Sequence, residues 1–289
     1  IHPNYIEKEI VLSAKESQEK ILIKLVPYII QREEIVVTAL RYPESSVSVP
    51  AAETVVTKET LEEKMTPNIT EVISDLPGVS TIGSGGFSIV PNIRGLARSR
   101  VLILIDNARV TSDRRTGPNA SFVEPYYIEK IEVLRSPASV LYGSDAIGGV
   151  IHILTKKPSM EEKLKGSVNL KYGTINQEKG LGFMLEGRQK NTGFYLSLQG
   201  DDAENYSSPK GEVLQSYFTQ GTLVTKISHL TEKREVLFSY LGSRGYDIGK
   251  PNQSSATNPT WYPLETQNLF QFHWLEKGLA GGNLVFQAY

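Results

Sequence analysis

The residues of this chain best suited to ligand chemistry lie in the loop between residues 111 and 119. Asp113, Arg114 and Arg115 follow one another there, within the run SDRRTGP. Adjacent guanidinium groups bind carboxylates and phosphates through several hydrogen bonds at once, so this loop could hold an anionic ligand. A loop that is charged only to remain soluble explains the same residues equally well.

The patterns expected of an enzyme or a metal site are missing from the sequence. The four His residues are scattered without metal-ligand spacing, and the chain has no Cys. Gly143 and Gly148 frame a G-x-x-x-x-G run, but Gly149 and Val150 follow where a phosphate-binding loop needs Lys and then Ser or Thr. No G-x-S-x-G nucleophile elbow is present. We therefore expect no catalysis, no metal and no cofactor.

Composition narrows the class of protein further. Of the 289 residues, 39% are hydrophobic and 22% are charged, which is typical of a folded chain. The net charge of −1 provides no basic field, so we expect no nucleic-acid partner. The apolar run Val101–Ile105 is far shorter than the roughly 20 residues of a membrane helix. Strands of a membrane barrel alternate in polarity, so a mean hydropathy of −0.24 is compatible with one.

Changes in residue pattern divide the chain into four parts. Residues 1–32 contain two strand-like runs, as in the closing hairpin of a small β-sandwich. Residues 33–50 begin with β-branched residues and become rich in Pro, Ser and Ala, which predicts an extended linker. Residues 51–158 alternate short helices, short strands and Gly-rich turns, which indicates an α+β domain. Residues 159–289 show seven strands with one apolar and one polar face.

Helix signals are confined to the start of the α+β part. Thr57 is a suitable N-cap for a helix over residues 58–65, and Thr66 or Asn68 could cap a second helix that stops before Pro77. Among the later strands, a short turn at Lys190–Gly193 contrasts with a long loop at Gly242–Thr266. This contrast favours a membrane barrel over a soluble β-sandwich, although strand periodicity alone fits both.

Both ends of the chain look truncated. The first residue is Ile1 rather than Met, and no secretory signal pattern precedes the first strand. The last residue, Tyr289, falls inside a strand pattern.

Five motifs occur in a fixed order: EEIVVTA, ISDLPGV, NIRG, VLILIDN and IEKIEVLRSPASVLYGSDAIGGVIHILTK. In this order they resemble the TonB-dependent outer-membrane receptors, and the resemblance covers nearly the whole chain. It implies an α+β plug domain followed by an antiparallel transmembrane β-barrel of about 22 strands, of which about seven are present here. Residues 1–32 resemble the end of a carboxypeptidase-regulatory-like domain.

The resemblance also identifies a TonB box, the segment that the energy-transducing protein TonB binds. The residues that match it are Glu34, Ile35, Val36, Val37, Thr38 and Ala39. Their β-branched side chains favour extended backbone, which suits recognition by strand addition to a partner sheet.

A second set of residues is implied to be structural in the plug: Arg94, Gly95, Asp106, Glu132, Arg135, Gly143, Gly148 and Gly149. We expect Glu132 and Arg135 to form ion pairs or hydrogen bonds where the plug meets the barrel wall, because an unpaired charge there is costly. Arg94 could instead be a solvated surface charge. Asn107 and Ser136 replace the family's usual Gly, but Asn tolerates left-handed backbone and a residue before Pro is extended anyway.

By the same resemblance, the ligand side of the plug corresponds to loops 83–88 and 111–119. The candidate ligand-binding residues there are Ser84, Phe87, Asp113, Arg114 and Arg115. An anionic ligand such as a ferric chelate or a haem propionate would suit the two arginines.

The function implied is uptake of a scarce nutrient complex across the outer membrane of a Gram-negative bacterium. A ferric siderophore is the first expectation for the ligand, followed by haem or cobalamin. The partners implied are TonB with its inner-membrane energising complex, and outer-membrane lipid around the barrel. A receptor used for signalling or adhesion without transport is the alternative.

Overall fold

The computed structural model describes residues 53–64, 68–83, 87, 89–111, 122–136, 142–252, 254–279 and 282–289, together with the backbone of residues 36–37 and 44–45. The predictions for residues 1–32 fall outside this range. None of the helices in the described part of the chain is long and apolar enough to cross a membrane.

The α+β domain is built on a five-stranded sheet of β3, β7, β8, β9 and β10. These strands span Glu53–Thr57, Val101–Ile105, Ala108–Arg109, Ile128–Leu134 and Gly149–Thr155. The spatial order is β3-β9-β10-β7-β8, and only the β7–β10 pair is parallel. Every residue of β7 is buried, as its unbroken apolar sequence predicts for a strand covered on both faces.

Two helices and a small sheet complete this domain. Helix α1 spans Lys58–Lys64 and helix α2 spans Ile69–Ser74, in agreement with the sequence prediction. The cap of α2 is Asn68, whose side-chain oxygen accepts a hydrogen bond of 2.8 Å from the backbone N–H of Thr70. A three-stranded antiparallel sheet follows, made of β4 (Val79–Ile82), β5 (Val90–Ile93) and β6 (Leu96–Ala97).

The second half of the chain forms one seven-stranded antiparallel sheet, as predicted. Its members are β11 (Leu164–Tyr172), β12 (Lys179–Gln189), β13 (Thr192–Ala203), β16 (Phe218–Leu230), β17 (Arg234–Gly249), β18 (Trp261–Leu279) and β19 (Gly282–Ala288). Neighbouring strands in the sheet follow chain order, so each pair is a hairpin. Two short pairs lie outside it: β1 (Val36–Val37) with β2 (Glu44–Ser45), and β14 (Ser207–Ser208) with β15 (Gly211–Glu212).

Connections at the two ends of this sheet differ in length. Segments 190–191, 231–233 and 280–281 join strands at one end, and segments 173–178, 204–217 and 250–260 join them at the other. The expected long loop at Gly242–Thr266 is therefore shorter than predicted, because β17 continues to Gly249 and β18 already begins at Trp261. Glycine and polar residues suggested a loop, yet they pair in register across the two strands.

The two faces of the seven-stranded sheet have the polarity of a membrane barrel. Its inner face, which packs against the α+β domain, buries polar side chains such as Ser197, Gln199 and Asp201 of β13. Its outer face exposes large apolar side chains such as Phe194 and Leu198. A soluble sandwich would bury the apolar face, so the arrangement supports the barrel and excludes the sandwich.

Candidate functional site in the plug and along the barrel wall

Two residues of the predicted TonB box, Val36 and Val37, form a short strand. Val36 pairs with Ser45 and Val37 with Glu44 in an antiparallel bridge. The extended backbone expected of these two residues is observed. Glu34, Ile35, Thr38 and Ala39 lie outside the described residues.

Phe87, one of the residues predicted to contact ligand, lies at the long-loop end of the large sheet. Its ring centroid is 5.4 Å from that of Phe218, the first residue of β16, and it packs in a cluster with Ala203 and Ile248. Because Phe87 is only 5% exposed, its side chain fixes the loop to the barrel wall. The other candidates, Ser84, Asp113, Arg114 and Arg115, are outside the described residues.

A buried ion pair joins the turn after β7 to the barrel wall. The ammonium nitrogen of Lys226 in β16 is 2.8 Å from a carboxylate oxygen of Asp106, and it also donates to the hydroxyl group of Thr155. Burial opposes ionisation of Asp106, but Lys226 and the Thr155 hydrogen bonds outweigh it and hold the pKa of Asp106 below its ordinary value. Asp106 is therefore an anion that ties the plug to the wall.

Amide side chains on the next strands extend this contact. The side-chain amide of Gln271 in β18 donates to the carbonyl oxygens of Ile105 (2.7 Å) and Asp106 (3.1 Å), and that of Gln287 donates to Asp106 O. The turn that presents these carbonyls is left-handed, with φ of +46° at Asp106 and +72° at Asn107. The expected tolerance of Asn107 for this conformation is confirmed.

Glu132 makes the polar contacts expected of it, but inside the plug sheet rather than at the barrel wall. It is fully buried, 2.8 Å from the ammonium nitrogen of Lys130 and 3.4 Å from Nδ1 of His152. Burial opposes ionisation, yet the His152 and Lys130 contacts lower the pKa of Glu132 to about 2. Nε2 of His152 accepts from the backbone N–H of Asn107, so Nδ1 carries the proton donated to Glu132. These contacts lie within the plug sheet, where β9 is paired with β3 and β10, and the expected role of Glu132 at the barrel wall stays a prediction.

Arg135 and Arg94 also act within the plug. The guanidinium of Arg135 donates to the carbonyl oxygen of Pro77 (2.5 Å) and to the hydroxyl of Thr54 (2.8 Å). It thereby joins strand β3 to the turn after α2, and not the plug to the wall. The side chain of Arg94 is exposed, while its backbone N–H donates to Gly78 O in the tight turn with Gly95.

The predicted glycines serve close backbone packing. A side chain at Gly148 would lie 2.8 Å from Arg100 O, and one at Gly149 would overlap Leu134 O. Gly149 also has a φ of +147°, and Gly143, in the preceding turn, has a φ of +88°. These positions therefore set the approach of β10 to its neighbours.

A second polar contact between plug and wall has no counterpart among the sequence predictions. We call it the Glu124 cluster; it comprises Glu124, Lys171, Glu178, Asp201 and Gln220. The side-chain amide of Gln220 donates to Glu124 Oε1 over 2.8 Å, and the Lys171 ammonium group is 2.7 Å from both Glu178 and Asp201. In the sequence, the pattern that could have indicated this contact is the run of polar residues at every second position of strands β13 and β16. Within the described chain, no group of His, Asp and Glu is arranged to hold a metal ion.

Comparison with known proteins agrees with this architecture. The profile of the TonB-dependent Receptor Plug Domain matches residues 45–150. The iron-regulated outer membrane virulence protein of Vibrio cholerae serotype O1 is 36% identical over 256 residues, 81% of this chain and 38% of that protein. The vitamin B12 transporter BtuB of Vibrio vulnificus is 36% identical over 143 residues, 49% of this chain and 23% of that protein. The chain thus spans less than two fifths of these relatives.

Solved structures share the fold at low sequence identity. The FrpB iron transporter from Neisseria meningitidis superposes with a TM-score of 0.68 and 18% identity. That superposition covers 82% of this chain and 40% of the other.

Proposed function

We propose a transport function on the premise that this chain belongs to the TonB-dependent receptors of the Gram-negative outer membrane. The complete protein binds a scarce nutrient complex at the cell surface and admits it past the plug. TonB, energised by its inner-membrane complex, pairs with the box at residues 34–39 and displaces part of the plug. Outer-membrane lipid contacts the apolar outer face of the barrel.

The observation that carries this proposal is the way in which the plug is held. Beside apolar contacts of Tyr195, Val224 and Leu241, the plug is joined to the wall by the Asp106–Lys226 ion pair and by amide hydrogen bonds. Polar contacts can be exchanged for contacts with water, whereas a large apolar interface would resist separation. A plug held in this way is suited to displacement under load.

We propose a ferric siderophore as the ligand, with haem or cobalamin next. Support comes from the name of the relative from Vibrio cholerae, which is iron-regulated, and from the adjacent Arg114 and Arg115. The name of the vitamin B12 transporter BtuB supports cobalamin. The receptor performs no chemistry on the ligand.

Uptake in cells that produce the full-length protein tests the proposal. Ferric siderophores, haem and cobalamin are compared in strains with and without TonB. We expect uptake of one ligand class that disappears without TonB. Binding of a ligand without any TonB-dependent uptake would overturn the transport function.

A deletion tests the role of the box itself. Removing residues 34–39 should abolish uptake while leaving ligand binding unchanged. The control replaces residues 46–50, five residues of the same linker, by a Gly-Ser sequence of equal length and should transport normally. Uptake that survives the deletion would show that TonB binds elsewhere.

A further inference from the structure

The Glu124 cluster, where the plug meets the wall, contains three carboxyl groups and only one ammonium group among its five residues. Lys171 is bonded to Glu178 and Asp201, both of which are barrel residues. Glu124, the plug residue, receives instead an uncharged donor, the amide group of Gln220. Because Glu124 is only 4% exposed, a negative charge on it would be buried without a cation of its own.

The other titratable groups near Glu124 do not supply that cation. Tyr127 lies beside it on the plug and is fully buried. A cavity of about 540 Å³ adjoins the cluster and is lined also by Lys58, Glu62 and Lys156. Lys58 pairs with Glu62, and Lys156 donates to the carbonyl oxygen of Tyr126. Glu71 of α2 adds a further carboxyl group beside Glu178.

We propose that Glu124 is protonated while the plug is seated, and that withdrawing the plug from the barrel wall releases this proton. The inference rests on the plug displacement proposed above. It adds that displacement is coupled to proton loss at one plug residue, so that seating of the plug depends on pH.

The direction of this dependence follows from the environment of Glu124. Burial, and next the negative charge of Asp201, raise the pKa of Glu124 well above its ordinary value, and Lys171 offsets this only in part. In the withdrawn plug the carboxyl group meets water and its pKa returns to the ordinary range. A group with a raised pKa in the seated state favours that state at low pH, and the preference is lost as pH rises through the raised value.

Two glycines of the wall leave space for the polar side chains around Glu124. A Cβ atom at Gly180 would overlap the carboxylate of Asp201, and one at Gly182 would overlap the amide oxygen of Gln199. These two glycines of β12 leave room for the polar residues of β13. The cavity gives the carboxyl group of Glu124 a route for proton exchange.

Thiol labelling of the purified full-length receptor tests the proposal without TonB or transport. This chain has no Cys, and any Cys elsewhere in the full-length receptor is replaced by Ser, so Ser197→Cys places a single reporter on the wall at a site that is 1% exposed. Its labelling rate is measured from pH 5 to pH 9 with and without Glu124→Gln. The ratio of the two rates cancels the ionisation of the thiol itself.

We expect the ratio of labelling in the Ser197→Cys protein to that in the Ser197→Cys, Glu124→Gln protein to rise with pH, by up to tenfold per pH unit between the ordinary and the raised pKa, and to level off above the raised pKa. Glu129→Gln, which removes an exposed carboxyl group of the same domain, should leave the dependence intact. Asp201→Asn should move the rise to lower pH, because it frees Lys171 for Glu124. A ratio that stays flat would overturn the proposal, and it would leave the transport function standing.

Discussion

The ammonium nitrogen of Lys226 lies 2.8 Å from the carboxylate of Asp106, and the two side chains are only 2% and 18% exposed. One belongs to the barrel wall and the other to the plug. Removing either partner alone leaves the other charge buried, which costs more than losing both.

Lys226→Met should therefore weaken the seating of the plug by about 3 kcal/mol. A urea titration that follows proteolytic cleavage of the plug in the full-length receptor measures this loss. Combining it with Asp106→Asn should restore part of the stability, because the unpaired charge is gone. A double variant as weak as the single one would show that the charge is not the cause.

The buried carboxyl group of Glu53 should make the local stability of strand β3 depend on pH. Both of its carboxylate oxygens are buried without a hydrogen-bond partner among the described residues, and burial, with Glu132 next, raises the pKa of Glu53 to about 7. The contribution of the protonated Glu53 carboxyl group to the stability of the folded plug is complete below pH 4.5, and it is lost as pH rises through about 7. Since part of the side chain is solvated, we expect on the order of 1 kcal/mol.

Hydrogen exchange at Val55 and Val56 between pH 5 and pH 8 checks this prediction, after correction for the intrinsic exchange rate. Protection should fall with pH in the wild-type protein. In Glu53→Gln it should stay constant, and an equal fall in both proteins would assign the effect to another group.

Phe87 is predicted to anchor its loop to the wall. Phe87→Ala should cost about 3 kcal/mol of local stability and weaken ligand binding, because the contact with Phe218 is lost. Phe87→Leu keeps an apolar side chain and should bind ligand nearly as well as the wild type. Calorimetric titration with the transported ligand separates the two roles, since a strong loss in Phe87→Leu would mean direct contact with ligand.

Arg114 and Arg115 are predicted to recognise negative charge on the ligand. Replacing both by Ala should lower the affinity for an anionic chelate about a hundredfold, since each charged hydrogen bond contributes about 1.5 kcal/mol. The rate of association should also lose its salt dependence. Lys190→Ala, in the short turn between β12 and β13, is the matched control. Unchanged affinity in the arginine variant would show that the two arginines only keep the loop soluble and do not bind the ligand.

Gly149 is predicted to be intolerant of any side chain. Gly149→Ala would force a Cβ atom against Leu134 O at a φ of +147° and should destabilise the plug by about 2 kcal/mol or more. Gly200 lies on the outer face of β13, where an added Cβ atom would have no neighbouring atom within 4 Å, so Gly200→Ala should be nearly neutral. Thermal denaturation of the two variants provides the comparison.

Much of this fold follows from residue patterns. The caps and apolar spacing predicted both helices, and alternation predicted all seven long strands, because these depend on near neighbours in sequence. Strand β17 ends later than predicted, because the pairing of Gly242 and Gly245 with β18 depends on a distant segment.

The polar sites were only partly predictable. Glu132 and Arg135 were chosen correctly as bonded residues, but their partners Lys130, His152 and Thr54 depend on which strands become neighbours. The sequence does not indicate the contact of Lys226 with the plug, because a single Lys in an alternating strand looks like any other polar residue of that face. Its importance comes from the plug turn that it meets, 120 residues earlier in the chain.

The large sheet is assembled from neighbouring segments of the chain, whereas the plug is seated by contacts between distant ones. Each hairpin of the large sheet joins neighbouring segments, as β12 and β13 do across residues 190–191, so closing it costs little chain entropy. The contacts that seat the plug instead join residues 120 and 166 positions apart, namely Lys226 with Asp106 and Gln271 with Ile105. Contacts this distant form slowly. The contacts of Gln271 require β18 to be in place, so we expect the plug to reach its final position late in folding.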